Sequence, residues 1–487
     1  MNQFEQYKRL IKLGFALILV ALLTGLYGVI WINWYNKIIW APFFRRGNWM
    51  MIFIYGLLLI FFMQLYGGFK IALLKRGNLI YSQILAVVVT NIITYFQISV
   101  QDKKFTAPAP LVVNLIGAVV IILAWTMTFL WLYRGMFPPR ELLLISGDHS
   151  DYHLIEKMNA REDKYIISQI VSYHEGPERI KAEIAKYDSV IVGDIPAHER
   201  NYIIKYCFGQ NIRTYSVPKI SDILLRSSVE LNLFDSPLLL SRNNQGLQIE
   251  QEIMKRIIDI VGSLIGIVIT IPIFLIVGIC IKMTDGGPVI YQQTRLTKNG
   301  KKFQIYKFRT MVQNAEADGK ARLASEDDPR ILPIGRILRA TRLDELPQIY
   351  NILKGDMSIV GPRPERPELA AELEKEIPEF SFRLQVKAGL TGYAQVIGKY
   401  DTQPYDKLKM DLMYIENYSI FLDLRIVLMT LKTALFPGET NEELIAALVQ
   451  KIRDLNDQLN IPQSIKDYAS GGVKVDAENP QMVSEEE

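Results

Sequence analysis

The chain has 487 residues, more than one hydrophobic core supports, so two or three units are expected. Hydrophobic residues make up 49% and crowd into the first third, which points to membrane, while a net charge of +4 is too small at this length to mark nucleic acid as a main partner. The two cysteines, Cys207 and Cys280, lie far apart, and all four histidines fall between residues 149 and 198. Neither a disulfide framework nor a zinc site is indicated, and chemistry beyond residue 200 must run without imidazole.

Four uncharged apolar stretches come first, near Gly14 to Ile32, Trp49 to Phe69, Asn78 to Val100 and Ala109 to Tyr133. Each is about as long as the roughly 20 residues that cross a bilayer, so residues 1–140 read as four transmembrane helices. The first is too long for a signal-peptide core, and three more spans follow. With the N-terminus inside, the inner flanks carry Lys8, Arg9, Lys12, Lys70, Lys75, Arg76, Arg134 and Arg140. The outer loops carry Lys37, Arg45, Arg46, Lys103 and Lys104, and eight against five puts the remainder of the chain on the cytoplasmic side.

Residues 141–250 begin with short β-branched runs alternating with helical stretches: LLLIS, YIISQIVSY, SVIVGDI and IRTYSV. That alternation predicts a small doubly wound, Rossmann-like α/β module. Its first strand turns through Ser146, Gly147, Asp148 and His149 without GxGxxG, so a structural or regulatory module with no bound cofactor is expected.

A fifth apolar stretch runs from Ile257 to Ile281, interrupted by Asp259 and Pro272. Length alone allows a crossing. Lys255, Arg256 and Lys282 flank both ends, and a proline kinks a helix, so a helix that enters, bends at Ile271 and Pro272 and returns is an equal alternative. A basic, mixed α/β region follows to about residue 437. Beyond it, residues 438–487 read as a short helix (441–459) and an acidic, solvated tail.

Within the mixed region stands DPRILPIGRILRATRLDELPQIYNILKGDMSIVGPRPE, with Asp344 and Glu345 side by side. The bland reading is a helix start, with Thr341 and Asp344 as a capping box. Pro347 counts against Thr341 as the cap, because it would then fall inside the helix. With Asp344 as the cap, Pro347 sits in the first turn, Leu346, Ile349, Tyr350 and Leu353 form one stripe, and Asp344 stands ionised and exposed at the positive end. Such an aspartate is suited to attack phosphorus, and the adjacent glutamate to hold Mg²⁺. Phosphoryl transfer also needs cations, and Arg309, Arg363, Arg366, Lys387 and Lys399 supply them, although basic residues alone are usually a solvated face.

These runs, together with GPVIYQQTRLTKNGKKF, YKFRTM, GLTGYAQV and YIENYSIFLDL, resemble the catalytic domain of the monotopic bacterial phosphoglycosyl transferases. Those are the polyprenyl-phosphate hexose-1-phosphate transferases that prime capsule, exopolysaccharide and O-antigen synthesis. The likeness covers residues 255 to about 437, within an expected catalytic domain of 251–437, and the preceding spans and module resemble the family's long form. It implies a mixed α/β catalytic domain with a re-entrant membrane helix kinked at Pro272, on the cytoplasmic face of the bacterial inner membrane. It further implies a ping-pong reaction in which Asp344 attacks a UDP-sugar and releases UMP, after which undecaprenyl phosphate takes the sugar phosphate. Glu345 matches the Mg²⁺ ligand, and Arg363 and Asp423 match substrate-site positions. Gln348, in the same DELPQ run, joins Arg309, Arg366, Lys387 and Lys399 in the expected substrate-binding set. Ile271, Ala388, Tyr393 and Lys399 depart from residues common in the family, and Lys399 keeps the charge of an arginine without its fork. Glucose is the expected sugar, then galactose or an N-acetylated sugar, and a homodimer is compatible with the layout. The alternatives are a non-catalytic scaffold of polysaccharide assembly and a conventional glycosyltransferase, which would release UDP.

Overall fold

The computed structural model describes residues 5–435, except 72, 148–151, 160, 162, 234–235, 242–245, 313–327, 329 and 399–401. The expected helix at 441–459 and the acidic tail lie outside the described residues. The chain divides into two units, one built from residues 1–139 with 217–435, the other containing residues 140–216.

The first unit opens with a helical bundle. Helix α1 (Lys8–Ile30) runs through a π-helical turn, Trp31–Tyr35, into the short α2 (Asn36–Ile38), followed by α3 (Arg46–Tyr66), α4 (Arg76–Gln101) and α5 (Ala109–Met136). The stretches from Glu5 to Ile38 and along α3, α4 and α5 are each long and apolar enough to cross a membrane. Their arrangement is the inverse of a water-soluble bundle. Inside, the Tyr27 and Tyr55 rings stack at 3.9 Å, and Asn114 donates to both the Tyr55 hydroxyl and the Asn91 side chain at 3.0 Å. Outside, Leu17, Val29, Phe53, Val112 and Trp131 are exposed. Polar pairs between helices with apolar side chains facing outward are what a bilayer solvent selects, and they mark a membrane protein.

The second unit is a four-stranded parallel sheet, β1 (Arg140–Ser146), β2 (Tyr165–Ser172), β3 (Ser189–Val192) and β4 (Arg213–Ser216), in the order β2-β1-β3-β4. The four runs read from sequence form these four strands. Strand alternation covers both faces. Leu143, Ile145, Val190 and Val192 pack with α7 (Pro177–Ile184) and α8 (Ala197–Gly209), while Leu142, Leu144 and Ile191 pack with α6 (Tyr152–Asn159). This is a doubly wound order. The turn at Asp148 and His149 lies outside the described residues.

The module ends at Ser216 rather than near residue 250. Helix α9 (Ile220–Arg226) sends Ile220 and Ile223 into the core of the first unit, where Leu247 joins them against Leu408, Leu412 and Tyr414. An exposed antiparallel hairpin, β5 (Val229–Leu233) with β6 (Ser236–Leu240), comes next. Hydrophobic period alone does not say which core a helix such as α9 joins.

The rest of the first unit is mixed α/β. Helix α10 (Ile249–Asp285) is followed by the antiparallel pair β7 (Ile290–Leu296) and β8 (Lys302–Phe308), then α11 (Pro333–Ala340) and α12 (Gln348–Lys354). Strand β9 (Ser358–Val360) pairs in parallel with β10 (Gly389–Thr391), and α13 (Pro367–Glu376) and a 3-10 segment, Pro378–Gln385, lie between them. Helices α14 (Tyr393–Ile397), α15 (Pro404–Glu416) and α16 (Ile420–Leu435) complete the described chain.

Helix α10 is helical throughout its 37 residues, Pro272 included, so no break marks the bend expected at Ile271 and Pro272. It is also apolar enough to cross a membrane. One face of it is fastened to this domain along its length. Lys255, Asp259, Ser263, Thr270, Val277 and Ile281 are buried at helical spacing, whereas Ile257, Ile265, Val268, Ile269, Leu275 and Ile276 are exposed. Arg256 donates to the carbonyls of Ile352 and Leu353 at 2.7 Å each, satisfying orphan acceptors at the end of α12. Asp259 accepts from the Ser358 hydroxyl at 3.0 Å and the Ile359 amide at 2.9 Å, fixing β9.

Candidate active site

The site is built where β8, the turn before α12 and the loop after β9 meet. Asp344 and Glu345 lie on a single 3-10 turn, Leu343–Glu345, entered through Arg342 in the left-handed conformation (φ 56°). A left-handed non-glycine residue costs about 1 kcal/mol, and here it reverses the chain leaving α11. Helix α12 begins at Gln348 with Pro347 before it. The expectation that Asp344 caps this helix and stands exposed is therefore corrected. Pro347 is compatible with either start, and Arg342 places the acids one turn earlier, half-buried.

The two acids differ in their surroundings. Glu345 Oε1 accepts from Lys307 Nζ at 2.8 Å and from Arg363 Nη2 at 2.9 Å. Burial alone would raise its pKa, but Arg363 and Lys307 outweigh it and hold the carboxyl at about 2. Asp344 makes no hydrogen bond or ion pair among the described residues, and burial pushes its carboxyl above the ordinary value. Lys307 opposes that shift, and the neighbouring Glu345 adds to it. Arg363 is itself held more firmly protonated by Glu345.

Backbone packing fixes the loop that carries Arg363. A Cβ on Gly361 would lie 2.3 Å from the Lys387 carbonyl, one on Gly389 2.1 Å from the Gly361 amide, and one on Gly392 2.2 Å from the Gly361 carbonyl. The glycines of GPRP and GLTG thus press main chain against main chain. Arg383 donates to the Arg363 carbonyl at 3.0 Å and Arg295 to the Pro364 carbonyl at 3.1 Å. Beside Arg363 opens a cavity of about 110 Å³, lined in part by Glu365, Ser381, Arg383, Leu384 and Val386.

The other expected site residues differ in their surroundings. Gln348 is buried at the start of α12, with its Nε2 lacking a hydrogen-bond partner among the described residues. Arg309 is buried and donates to the Pro288 carbonyl at 2.7 Å. Arg366 precedes α13. The largest charge effects on Lys387 come from Arg256, Asp259, Glu252 and Lys298. Asp423 is buried, bonded to Lys255 Nζ at 2.6 Å and the Tyr414 hydroxyl at 2.8 Å, a joint between α10, α15 and α16. Lys399 lies outside the described residues.

Sequence reading missed Lys307 and the supporting Arg295 and Arg383. Lys307 had a signal, since it shares one face of β8 with the buried Phe303 and Ile305, where an apolar residue would be expected.

Residues 250–437 match the family described as bacterial sugar transferase. The chain is 38% identical over 189 residues to the UDP-glucose:undecaprenyl-phosphate glucose-1-phosphate transferase of Caulobacter vibrioides, covering 38% of this chain and 70% of that protein. This chain belongs to the bacterial sugar transferase family. It is also 36% identical over 259 residues to the UDP-N-acetylgalactosamine-undecaprenyl-phosphate N-acetylgalactosaminephosphotransferase of Aeromonas hydrophila, covering 51% of this chain and 59% of that one. A third relative, the undecaprenyl-phosphate galactose phosphotransferase of Salmonella typhimurium, is 36% identical over 235 residues, with 45% and 48% covered. The matched stretch thus spans about half the length of the last two relatives.

Among the described residues no three His, Cys, Asp or Glu side chains converge as a metal cage. Asp344 and Glu345 nevertheless fit a Mg²⁺ ion, which commonly takes one or two carboxylates and fills its shell with substrate phosphate and water.

Proposed function

We propose that the protein transfers a sugar 1-phosphate from a UDP-sugar to undecaprenyl phosphate. The observation that carries this reading is a half-buried Asp344, without a hydrogen-bond or ion-pair partner among the described residues, beside a Glu345 already bonded to two cations. A carboxylate oxygen of Asp344 attacks the sugar-bearing phosphorus, the bond to the UMP oxygen breaks, and UMP leaves with the electron pair. An oxygen of undecaprenyl phosphate then attacks the same phosphorus, forming a lipid diphosphate sugar and restoring Asp344. Both attacking groups are anions, so no histidine is required. Lys307 and Arg363 place positive charge where phosphate oxygens gain it, and Glu365 and Arg383 beside the Arg363 cavity offer polar contacts to the donor. Mg²⁺, held by Glu345, would neutralise donor phosphate charge.

The membrane placement belongs to the same proposal. A crossing helix would leave its apolar stretch clear of the catalytic domain, yet α10 is fastened to that one domain from Lys255 to Ile281 and exposes apolar side chains on its other face. That pattern supports a helix seated in one leaflet, with both ends on the cytoplasmic side of the inner membrane. UDP-glucose is the donor proposed first, with UDP-galactose and UDP-N-acetylhexosamines next, since the three named relatives carry three different sugars. Purified protein with Mg²⁺, a UDP-sugar panel and undecaprenyl phosphate should release UMP. Release of UDP instead would reject the phosphotransfer.

A further inference from the structure

A second cluster of cations lies where the helical bundle meets α16. Arg425, Leu428 and Lys432 fall at positions i, i+3 and i+7 of α16 and share one face. Leu428 packs against the bundle core, so that face is turned toward the bundle. Lys432 Nζ donates to the Ser82 hydroxyl of α4 at 2.5 Å and lies 5.5 Å from the Tyr81 ring centroid. Ser82 in turn donates to the Asn78 carbonyl at 2.6 Å, which fixes its lone pairs toward the ammonium. Lys70, in the loop between α3 and α4, is within electrostatic reach of both Arg425 and Lys432.

Three cations have therefore been gathered at a packed joint, and no carboxylate among the described residues pairs with any of them. Burial lowers the pKa of Lys70 and Lys432, and Arg425 and Lys70, respectively, lower them further. Basic residues that merely follow the charge rule of membrane loops can spread into solvent. Here α16 and the α3–α4 loop hold them half-buried at the α3–α4 end of the bundle, the end that the membrane placement proposed above puts at the headgroups. An anion with several acceptor oxygens would relieve the repulsion.

We propose that Lys70, Arg425 and Lys432 form a binding site for the phosphate headgroup of a membrane lipid. The inference rests on the membrane placement given above and not on the aspartyl chemistry. Two lipids present that group, the undecaprenyl phosphate acceptor and an anionic phospholipid. The full chain is reconstituted in phosphatidylcholine nanodiscs doped with undecaprenyl phosphate or with phosphatidylglycerol, and lipid retained on release is read by native mass spectrometry. The wild type should retain the doped lipid, and Lys70→Gln/Lys432→Gln should weaken retention by about tenfold or more. Lys103→Gln/Lys104→Gln, in another loop, should not. Arg425→Gln, which removes no hydrogen bond among the described residues, should weaken retention in the same direction without disturbing the Ser82 contact. Loss of undecaprenyl phosphate alone in the Lys70/Lys432 variant assigns the site to the acceptor, and loss of both lipids assigns it to lipid phosphate in general. Single-turnover UMP release without acceptor reports the fold and the aspartyl step separately, and it should be unchanged in every variant. No retention by the wild type, or equal retention by the Lys70/Lys432 variant, overturns the proposal.

Discussion

Glu345 meets Lys307 and Arg363 at a rim where Arg363 remains exposed, whereas Asp423 meets Lys255 and Tyr414 inside the packed joint of α10, α15 and α16. Both are carboxylates bonded to a lysine at short range, 2.8 Å and 2.6 Å. At the rim the cations stay reachable by a second anion, and a free carboxylate stands next to the pair. In the joint every charged atom is used up by its partner, so the pair can fasten elements but has nothing left to offer a substrate. The resemblance puts both acids in the site, but their surroundings differ: one pair is at an exposed rim and the other is packed between helices.

The comparison breaks most sharply at Asp344. Asp344→Asn should lower UMP release by on the order of a thousandfold or more while leaving the thermal midpoint nearly unchanged, because that carboxylate bonds to no described residue. The joint should behave in the opposite way. Asp423→Leu strands the Lys255 ammonium and should destabilise the fold by about 3–5 kcal/mol. Lys255→Met/Asp423→Leu should recover most of that loss in thermal unfolding. If Asp423→Leu were inactive yet as stable as wild type, Asp423 would belong to the substrate site after all.

How far the sequence carries differs between these two regions for a physical reason. The four strands of the module and the helices of the bundle are local periodic patterns, so they were legible. The acid pair and the GPRP loop were legible as motifs. The Lys255–Asp423 bond joins positions 168 apart in the chain, which no spacing rule reaches. Arg342 in a left-handed turn likewise moved the acid pair off the helix end, and only an atypical backbone angle reveals that. The lysine on the inward face of β8 could have been found from alternation, because a charge at a buried register position needs a partner.

Smaller effects sharpen the rim. Arg363→Lys keeps the charge but loses the planar fork, and it should raise KM for the UDP-sugar by about tenfold, with Glu345 still paired through Lys307. The acid limb of UMP release should lie above the midpoint of an ordinary aspartate, since burial raises Asp344 and its protonated form cannot attack. Lys307 lowers that pKa, so Lys307→Met should move the limb to still higher pH. A limb moving to lower pH would show that Lys307 does not act on Asp344.

The most direct test is intact and peptide mass spectrometry of the protein incubated with Mg²⁺ and UDP-sugar in the absence of acceptor. The account predicts one phosphosugar adduct per chain, mapped to Asp344, formed with one equivalent of UMP and removed on adding undecaprenyl phosphate. An adduct at another residue, or undiminished UMP release by Asp344→Asn, would contradict it.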